Sequence, residues 1–247
     1  TIALTKLNAI FRQAAGSQII VNAHRINEGQ MPFTKNSGRG DFLFFEAKEP
    51  DEVRKEILDL VVNRIPKQYR FDPKRDIQVL APMKKGICGI DVLNRDLQAV
   101  LTPNDSTPHF FRNGDKVMQT RNNYSKDVFN GDIGIVTAVQ EDAIVVQMDE
   151  KEVRYEVSEL GELVLAYAVS VHKFQGSECP CVVMPAHTSH FKLLTKNLLY
   201  TGVTRGKKLV VLVGTKKALA IAVKNEDVQL RYTGLQCQLK GSDAHLL

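Results

Sequence analysis

Hydrophobic residues follow two alternating spacings along the chain up to Leu101. The short apolar runs DFLFFEA and DIQVLAPM are typical of buried strands. Apolar residues three and four positions apart predict amphipathic helices in IDVLNRDLQAVL and in SQIIVNAHRINEG, which has Ser17 as N-cap and Gly29 as its stop. The same spacing predicts a helix in DEVRKEILDLVVNRI, ended by Pro66. Helices that alternate with buried strands indicate an α/β sheet.

The pattern changes after Pro103. Four short strand-like runs follow one another with no helical spacing between them, namely GDKVMQTRNN, GDIGIVTAVQ, AIVVQMD and EVRYEVSEL. A series of short strands separated by turn residues predicts a small β-barrel.

From Leu163 the α/β pattern resumes. It predicts a helix in LAYAVSVHKFQG, a strand in CVVMPA, a helix that stops at Gly206 and a final helix from about Thr215. The unbroken apolar run from Leu209 to Val213 predicts a strand buried on both faces of a parallel sheet. We therefore expect one α/β domain interrupted by an inserted barrel, with boundaries at residues 1–102, 103–163 and 164–247.

Composition is ordinary for a soluble globular protein, with 43% hydrophobic and 25% charged residues. No apolar run approaches the ~18 residues of a membrane helix, and no secretory signal pattern is present, so we expect no membrane partner. The chain starts without methionine and is apolar from its second residue, from which we expect a fragment of a longer protein.

Cysteine spacing and net charge exclude few classes of function. The four cysteines have no paired zinc-binding spacing, so we expect free thiols in a reducing cytoplasm and no metal site; they are Cys88, Cys179, Cys181 and Cys237. The net charge of +5, from 33 basic and 28 acidic residues, is compatible with a polyanionic partner without establishing one.

The sequence contains no G-x-x-x-x-G-K-[S/T] loop, and no strand of its α/β part ends in an Asp-Glu pair, so that part lacks a triphosphate cradle and a carboxylate pair for Mg²⁺. Three polar elements stand between apolar segments: FRQAAGS, SVHKFQGSE and TGVTRGK. Their chemistry-bearing residues are Arg12, Gln13, Ser170, His172, Lys173, Gln175, Glu178 and Arg205. Taken singly, each has a plain interpretation, such as a solvated cation at a helix end.

Taken together, the three elements resemble the late motifs of superfamily-one helicases, in particular the RecD-like branch. LTKLNAIFRQA is similar to motif IV, LAYAVSVHKFQGSE to motif V and NLLYTGVTRGKKLVVLVG to motif VI. LAPMKKGICGIDVLNRDLQ and NGDKVMQTRNNYSKDVFNGDIGIV also resemble that branch, so the resemblance covers nearly the whole chain. It implies a RecA-like parallel sheet with helices on both faces and an inserted SH3-like barrel, that is, domain 2A with domain 2B but without 1A and 1B.

The resemblance also implies roles toward ATP. Arg205 and Arg12 would reach the γ-phosphate of ATP held by the other motor domain, where a guanidinium fork suits phosphate oxygens. Glu178 would meet the ribose, the Gly176 backbone would lie close to the phosphates, and Gln13 would also contact the nucleotide. ATP and Mg²⁺ would be bound mainly by the missing N-terminal domains, so we expect the fragment alone to be inactive.

Single-stranded DNA is the partner that the resemblance implies. The DNA contacts expected from motif V, the PMKKG loop and the barrel are Ser170, His172, Lys173, Lys84, Lys85, Arg121, Asn122 and Asn123. Cations, amides and the ring of Tyr124 would suit a flexible strand, although Asn-Asn is also ordinary turn chemistry.

The leading hypothesis is the C-terminal part of an ATP-driven DNA helicase that translocates 5′ to 3′, the direction being implied by the resemblance alone. One alternative is a non-catalytic nucleic-acid-binding module that retains helicase motifs for packing. Another is the motor part of a conjugation relaxase, which VHKFQGSE alone would admit. The missing N-terminal domains would be an intramolecular partner, and RecB- or RecC-like partners are left open.

Overall fold

A computed structural model describes residues 16–36, 40–103, 110–190 and 193–225. Arg12, Gln13 and Cys237 lie outside the described residues, so the predictions made for them are carried forward as predictions.

Five parallel strands form the main sheet, in the order β1-β10-β9-β2-β8. Their bounds are Phe42–Glu46 (β1), Ile77–Ala81 (β2), Ala168–Ser170 (β8), Cys179–Ala186 (β9) and Gly206–Gly214 (β10). The run Leu209 to Val213 lies in β10 and is completely buried, as the sequence predicted. Because all five strands are parallel, their amino ends share one edge of the sheet and their carboxyl ends share the other.

Helices cover both faces of this sheet. Their bounds are Gln18–Asn27 (α1), Pro50–Asp59 (α2), Ile65–Tyr69 (α3), Ile90–Leu101 (α4), Lys196–Val203 (α5) and Lys216–Lys224 (α6). Alternate residues of β10 enter different clusters: Val210 and Leu212 pack on the side of α1, α5 and α6, whereas Val211 packs on the side of α2 and α4. The predicted α/β layering with helices on both faces is therefore confirmed.

Pro66 does not end the second helix, which corrects the sequence prediction. The chain passes from α2 through a π-helical turn, Leu60–Arg64, directly into α3, and the Ile65 amide donates to the Leu60 carbonyl. Pro66 has no amide hydrogen and would crowd the carbonyl four residues before it in a regular α-helix. The wider π turn just ahead of Pro66 relieves that conflict, and the helix ends instead at Arg70, which has a positive φ of 60°.

The region between the two parts of the parallel sheet forms a five-stranded antiparallel sheet, here called the inserted sheet, in the order β6-β5-β4-β3-β7. Its strands are Lys116–Gln119 (β3), Ile133–Val139 (β4), Ala143–Met148 (β5), Lys151–Glu156 (β6) and Leu163–Leu165 (β7). The four strands predicted from the sequence are all present. The fifth, β7, starts at the last residue of the predicted insertion and runs two residues beyond it.

The predicted helix in LAYAVSVHKFQG is wrong. Part of the segment belongs to β7, the next part forms β8, and residues 171–176 make a turn. A strand buried on both faces shows no polar alternation, so its apolar residues are also compatible with a helical spacing. Strand β8 is only three residues long, which leaves little signal for either assignment.

Buried polar side chains fasten both connections between the two sheets. The Asp115 carboxylate is completely buried and accepts hydrogen bonds from Gln98 Nε2 (2.6 Å), Thr102 Oγ1 (2.6 Å) and Tyr167 OH (2.9 Å). Thr102 precedes the inserted sheet and Tyr167 follows it, so one carboxylate ties the entering and leaving segments together. Lys116 Nζ, which is also buried, donates across the same junction to the Ile77 carbonyl at 3.0 Å.

Candidate functional site

Arg205 lies at the amino end of the parallel sheet, between the end of α5 and the start of β10. Thr195 caps α5 by accepting a hydrogen bond from the Leu198 amide, so the helix is fixed where it leads into this position. The half-buried guanidinium donates to the Thr201 carbonyl (3.1 Å), the Ser177 carbonyl (3.4 Å) and Thr204 Oγ1 (3.2 Å).

All three acceptors of Arg205 are neutral. In the part of the chain that the structure describes, no carboxylate forms an ion pair with it. Its three hydrogen bonds hold the side chain without cancelling its charge. A fixed, uncompensated guanidinium is suited to bind an external anion such as a phosphate.

Glu178 lies beside Arg205, because their neighbours Cys179 and Gly206 are paired in the sheet and the Cys179 amide donates to the Arg205 carbonyl at 3.1 Å. The Glu178 carboxylate forms an ion pair with Lys207 Nζ at 3.1 Å. Gly176 is exposed in the preceding turn with a φ of +96° and open space where a side chain would stand. The structure thus brings Arg205, Glu178 and Gly176 to one end of the sheet, while Arg12 and Gln13 remain outside the described residues.

The other end of the sheet gathers a different set of predicted residues. Ser170 is the last residue of β8 and pairs with Ala81 at the end of β2, which leads into the loop that carries Lys84. Ser170, Lys173 and Lys84 line one cavity of about 830 Å³ between α4, β8 and the inserted sheet. Ser170 also shapes the next turn, since its Oγ accepts from the Lys173 amide at 3.2 Å. His172 is exposed in the same turn, and Lys85 is exposed beside Lys84.

The loop that carries Lys84 and Lys85 is folded back tightly onto the start of α4. The Asp91 amide donates to the Lys84 carbonyl at 3.1 Å, and the Ile90 amide donates to the Met83 carbonyl at 3.0 Å. A Cβ atom at Gly89 would lie 2.5 Å from the Lys85 carbonyl oxygen and 2.8 Å from that of Lys84. Glycine is therefore required at residue 89 for this loop conformation.

A buried cysteine-histidine contact lies at the same end of the sheet. Cys88 Sγ is 3.4 Å from His190 Nε2, and both side chains are buried. Burial, reinforced by the nearby His187, lowers the pKa of His190 to about 4, and burial raises the pKa of the Cys88 thiol. Both groups are therefore neutral near pH 7. Among the described residues no group of three or more His, Cys, Asp or Glu side chains is arranged to hold a metal ion.

The residues predicted on the inserted sheet do not line the cavity. Arg121 pairs with Glu162 at 2.8 Å, and the Asn122 Oδ1 atom accepts from the Asn130 amide at 3.0 Å. The Asn123 side chain serves the local turn: its Nδ2 donates to Glu162 at 3.2 Å, and its Oδ1 accepts from Ser125 Oγ at 2.7 Å. These contacts match the ordinary turn chemistry that the sequence left open.

Sequence reasoning missed several residues that build these sites. Phe110 lines the same cavity as Ser170, with 68% of its surface exposed, and His190 and Asp115 are buried polar anchors. The adjacent rings in HFFRNGD were a signal for an aromatic wall, but nothing in the sequence placed them beside β8. His190 stands in no motif, and Asp115, although it lies in the segment NGDKVMQTRNNYSKDVFNGDIGIV, carried no signal that it would be a buried anchor.

Helices of the described residues are short, and none is long and apolar enough to cross a membrane.

Comparison with known proteins adds two domain matches. Residues 93–154 match the family model of the SH3 domain of ATP-dependent RecD-like DNA helicases, and residues 165–213 match that of the UvrD-like helicase C-terminal domain.

Whole-protein relatives and a solved structure agree with these matches. The chain is 33% identical over 225 residues to the ATP-dependent RecD2 DNA helicase of Deinococcus radiodurans, covering 90% of this chain and 30% of the relative. It is 25% identical over 248 residues to the RecBCD enzyme subunit RecD of Mycolicibacterium smegmatis, covering 97% of this chain and 44% of that protein. The fold is similar to that of the Pif1 helicase from Bacteroides, solved in complex with ADP-AlF3 and single-stranded DNA, with a TM-score of 0.56. The sequence identity is 17%, and the match covers 96% of this chain and 56% of the Pif1 chain.

The chain spans less than half the length of the two relatives. Its parallel sheet with helices on both faces is the RecA-like fold of these helicases, and its inserted sheet carries the match to their SH3 domain. The chain belongs to the RecD-like branch of the superfamily-one DNA helicases.

Proposed function

We propose that the full-length protein is an ATP-dependent DNA helicase, in which this chain supplies one wall of the ATP site and part of the path of single-stranded DNA. The observation that carries the proposal is the uncompensated Arg205 guanidinium beside Glu178, at the end of the sheet opposite Ser170 and Lys84. Residues 1–102 and 164–247 would form domain 2A, and residues 103–163 would form domain 2B.

The residues at the amino end of the sheet fit one side of an ATP site. ATP bound with Mg²⁺ would supply the phosphoryl group whose hydrolysis drives the cycle. Arg205, joined by Arg12, would bind the γ-phosphate oxygens and stabilise the charge that develops on them. Glu178 would exchange its contact with Lys207 for a ribose hydroxyl, with Gln13 and the Gly176 backbone beside the nucleotide.

The triphosphate cradle and the Mg²⁺ ligands would come from other domains of the protein, since the sequence has no P-loop and the described residues hold no metal-binding cluster. We therefore expect the 247-residue chain alone to lack ATPase activity.

The carboxyl end of the sheet would bind the DNA. Lys84, Lys85 and Lys173 would contact phosphates, while Ser170 and His172 would contact the strand through motif V. Arg121 and Asn122 would extend the path onto the inserted sheet, with Asn123 fastening the turn that carries them. Closure and opening of the cleft between two RecA-like domains would shift this grip along the strand, in the 5′ to 3′ direction.

Three related possibilities are weighed on different observations. A non-catalytic binding module would not need a fixed, uncompensated Arg205, so that side chain supports a motor. The relative named as a RecBCD enzyme subunit supports RecB- and RecC-like partners and a role in DNA repair or recombination, whereas the RecD2 DNA helicase, at 33% identity, is not named as a subunit. The motor part of a conjugation relaxase has no specific observation in its favour.

The free thiols Cys88, Cys179 and Cys181 suit a cytoplasmic protein.

The decisive experiment replaces Arg205 in the full-length protein. Arg205→Ala should lower the single-turnover rate of DNA-stimulated ATP hydrolysis by ~10³-fold and leave DNA affinity nearly unchanged, because the side chain acts on the developing phosphate charge. Arg205→Lys should rescue little, since an ammonium loses the bidentate geometry.

Arg154→Ala is the matched control, because Arg154 is an arginine of the inserted sheet that pairs with Asp142 and Glu156. It should leave hydrolysis unchanged. Normal turnover by Arg205→Ala would contradict the proposal.

A further inference from the structure

We infer that the cavity between α4, β8 and the inserted sheet is a nucleobase-binding pocket, in which one base of the DNA strand stacks on Phe110. This inference rests on the proposed function and goes beyond it, because the phosphate contacts of Lys84, Lys85 and Lys173 do not require any base to leave the strand and enter a pocket.

Phe110 is an exposed aromatic residue whose backbone is anchored to α4 and whose ring contacts a buried ring. Its carbonyl accepts a hydrogen bond from Gln98 Nε2 on α4 at 3.2 Å. Its ring lies edge-to-face on the buried ring of Phe111, with centroids 5.3 Å apart. Stacking on a ring that is already positioned loses little conformational entropy, which favours binding.

The walls of the cavity are apolar and its rim is cationic. Phe110, Val164, Val169 and Met118 are among the apolar residues of the wall, and Val164 is also partly exposed to solvent. Lys84, Lys173 and Arg95 stand at the rim with one carboxylate, Asp91. A nucleotide of a single strand has the matching arrangement, with an apolar base face on one side and a phosphate on the other.

The size of the cavity agrees with this occupant. Its volume of about 830 Å³ falls within the ~300–1,000 Å³ usual for small-molecule pockets. An apolar side chain from another domain would also fill it, but it would leave Lys84 and Lys173, which form no ion pair among the described residues, without an anionic partner, whereas Arg95 already pairs with Asp96 at 3.7 Å.

The pocket should accept every base with little discrimination. The uncharged polar wall residues Asn94 and Ser170 are engaged within the fold: Asn94 Nδ2 donates to the Leu165 and Ala168 carbonyls, its Oδ1 accepts from the Ala168 amide, and Ser170 Oγ accepts from the Lys173 amide. Recognition therefore depends on stacking, which every base provides, and purines should bind more strongly than pyrimidines because their ring area is larger. A translocating enzyme needs this tolerance of sequence.

The test measures the affinity of the full-length protein, without nucleotide, for an oligothymidylate and for a set of the same oligonucleotide with a single abasic site moved along it. We expect one abasic position to weaken binding by roughly five-fold or more, the loss typical of one stacked base. Phe110→Ala should weaken binding of the intact oligonucleotide to a similar extent and should not weaken binding of that abasic oligonucleotide further. Phe110→Trp should keep wild-type affinity.

Phe33→Ala is the matched control, because Phe33 is similarly exposed (51%) and lies before β1, the strand at the far side of the sheet from β8. It should bind both oligonucleotides like the wild type.

Three results would overturn the pocket. Phe110→Ala with normal affinity, no sensitive abasic position, or an equal loss for intact and abasic oligonucleotides would each exclude a stacked base. In all three, salt-dependent DNA binding and the effect of Arg205→Ala on hydrolysis would survive, leaving the proposed function standing. Absence of any DNA binding would overturn the pocket together with the DNA part of that function.

Discussion

The two ends of the parallel sheet carry the same kind of charge in opposite ways. At the amino end, Arg205 is half-buried and held by three hydrogen bonds in one orientation. At the carboxyl end, Lys84, Lys85 and Lys173 are exposed on loops around an apolar cavity. The difference fits the two partners that the proposed function assigns to these ends, a phosphate and a DNA strand. Stabilising charge on a reacting phosphate needs a cation fixed in advance, whereas holding a strand that must move on needs several contacts that are individually weak.

Removing lysines from the carboxyl end should have the largest effect on DNA binding. Lys84→Ala with Lys85→Ala should weaken single-stranded DNA binding by more than ten-fold at 0.1 M salt and lower the salt slope by about 1.4, or ~0.7 for each lost phosphate contact. The rate of ATP hydrolysis at saturating DNA should stay near wild type, because the amino end is untouched.

Fluorescence anisotropy across a salt series and steady-state ATPase assays measure both quantities. Lys55→Ala with Lys67→Ala removes the same charge from exposed positions of the α2–α3 helix and serves as control. An unchanged salt slope in the loop variant would remove the PMKKG loop from the DNA site.

Acid should lower the stability of the folded protein through His190, which lies at the carboxyl end of the parallel sheet. The pKa of His190 is lowered to about 4 in the folded protein, against an ordinary value near 6.5, so the unfolded chain binds a proton that the folded one excludes. The contribution of His190 is therefore complete above pH 6.5 and is lost as pH falls toward 4, at up to ~1.4 kcal/mol per pH unit and roughly 3 kcal/mol in all.

Urea unfolding between pH 7 and pH 4 measures this loss. His190→Leu should flatten the dependence, whereas replacement of the exposed His172 by Gln should not. A slope that is the same in His190→Leu and wild type would show that His190 is not the group responsible.

The smallest expected effect concerns the loop backbone. Gly89→Ala places a methyl group against the Lys84 and Lys85 carbonyls, so the loop must move, at a cost of about 1–3 kcal/mol. We expect a lower melting temperature and a DNA affinity reduced by a few-fold, with faster amide exchange in residues 83–89. Gly161→Ala, where the added methyl meets open space, is the control. Normal DNA affinity in Gly89→Ala would show that the lysines do not need this loop geometry.

Much of the fold could be predicted because local patterns and tertiary packing agree. The helix IDVLNRDLQAVL forms over the predicted residues, since its apolar spacing is clear and Gly89 precedes it. The helix predicted in LAYAVSVHKFQG is wrong because β8, which lies within this segment, is a short and mostly buried strand without a polar alternation. The helix end predicted at Pro66 is wrong for another reason. A π-helical turn just before Pro66 lets the helix continue past the proline, and residue propensities do not predict such a turn.

Some residues of the candidate sites could likewise be predicted from the sequence, and others could not. Arg205, Glu178, Ser170 and Lys84 could be predicted because they stand in motifs. Phe110 could not, since its role depends on a ring being brought beside β8 by a connection whose geometry is set by the buried Asp115.

That buried carboxylate has a mechanical consequence. Asp115 links the segments that enter and leave the inserted sheet to α4, and each of its named bonds is internal to the protein. A joint of this kind is stiff, because bending it would strip hydrogen bonds from a charge that no water can reach. We therefore expect the two sheets to move together as one rigid unit, with little bending at the junction that Asp115 holds.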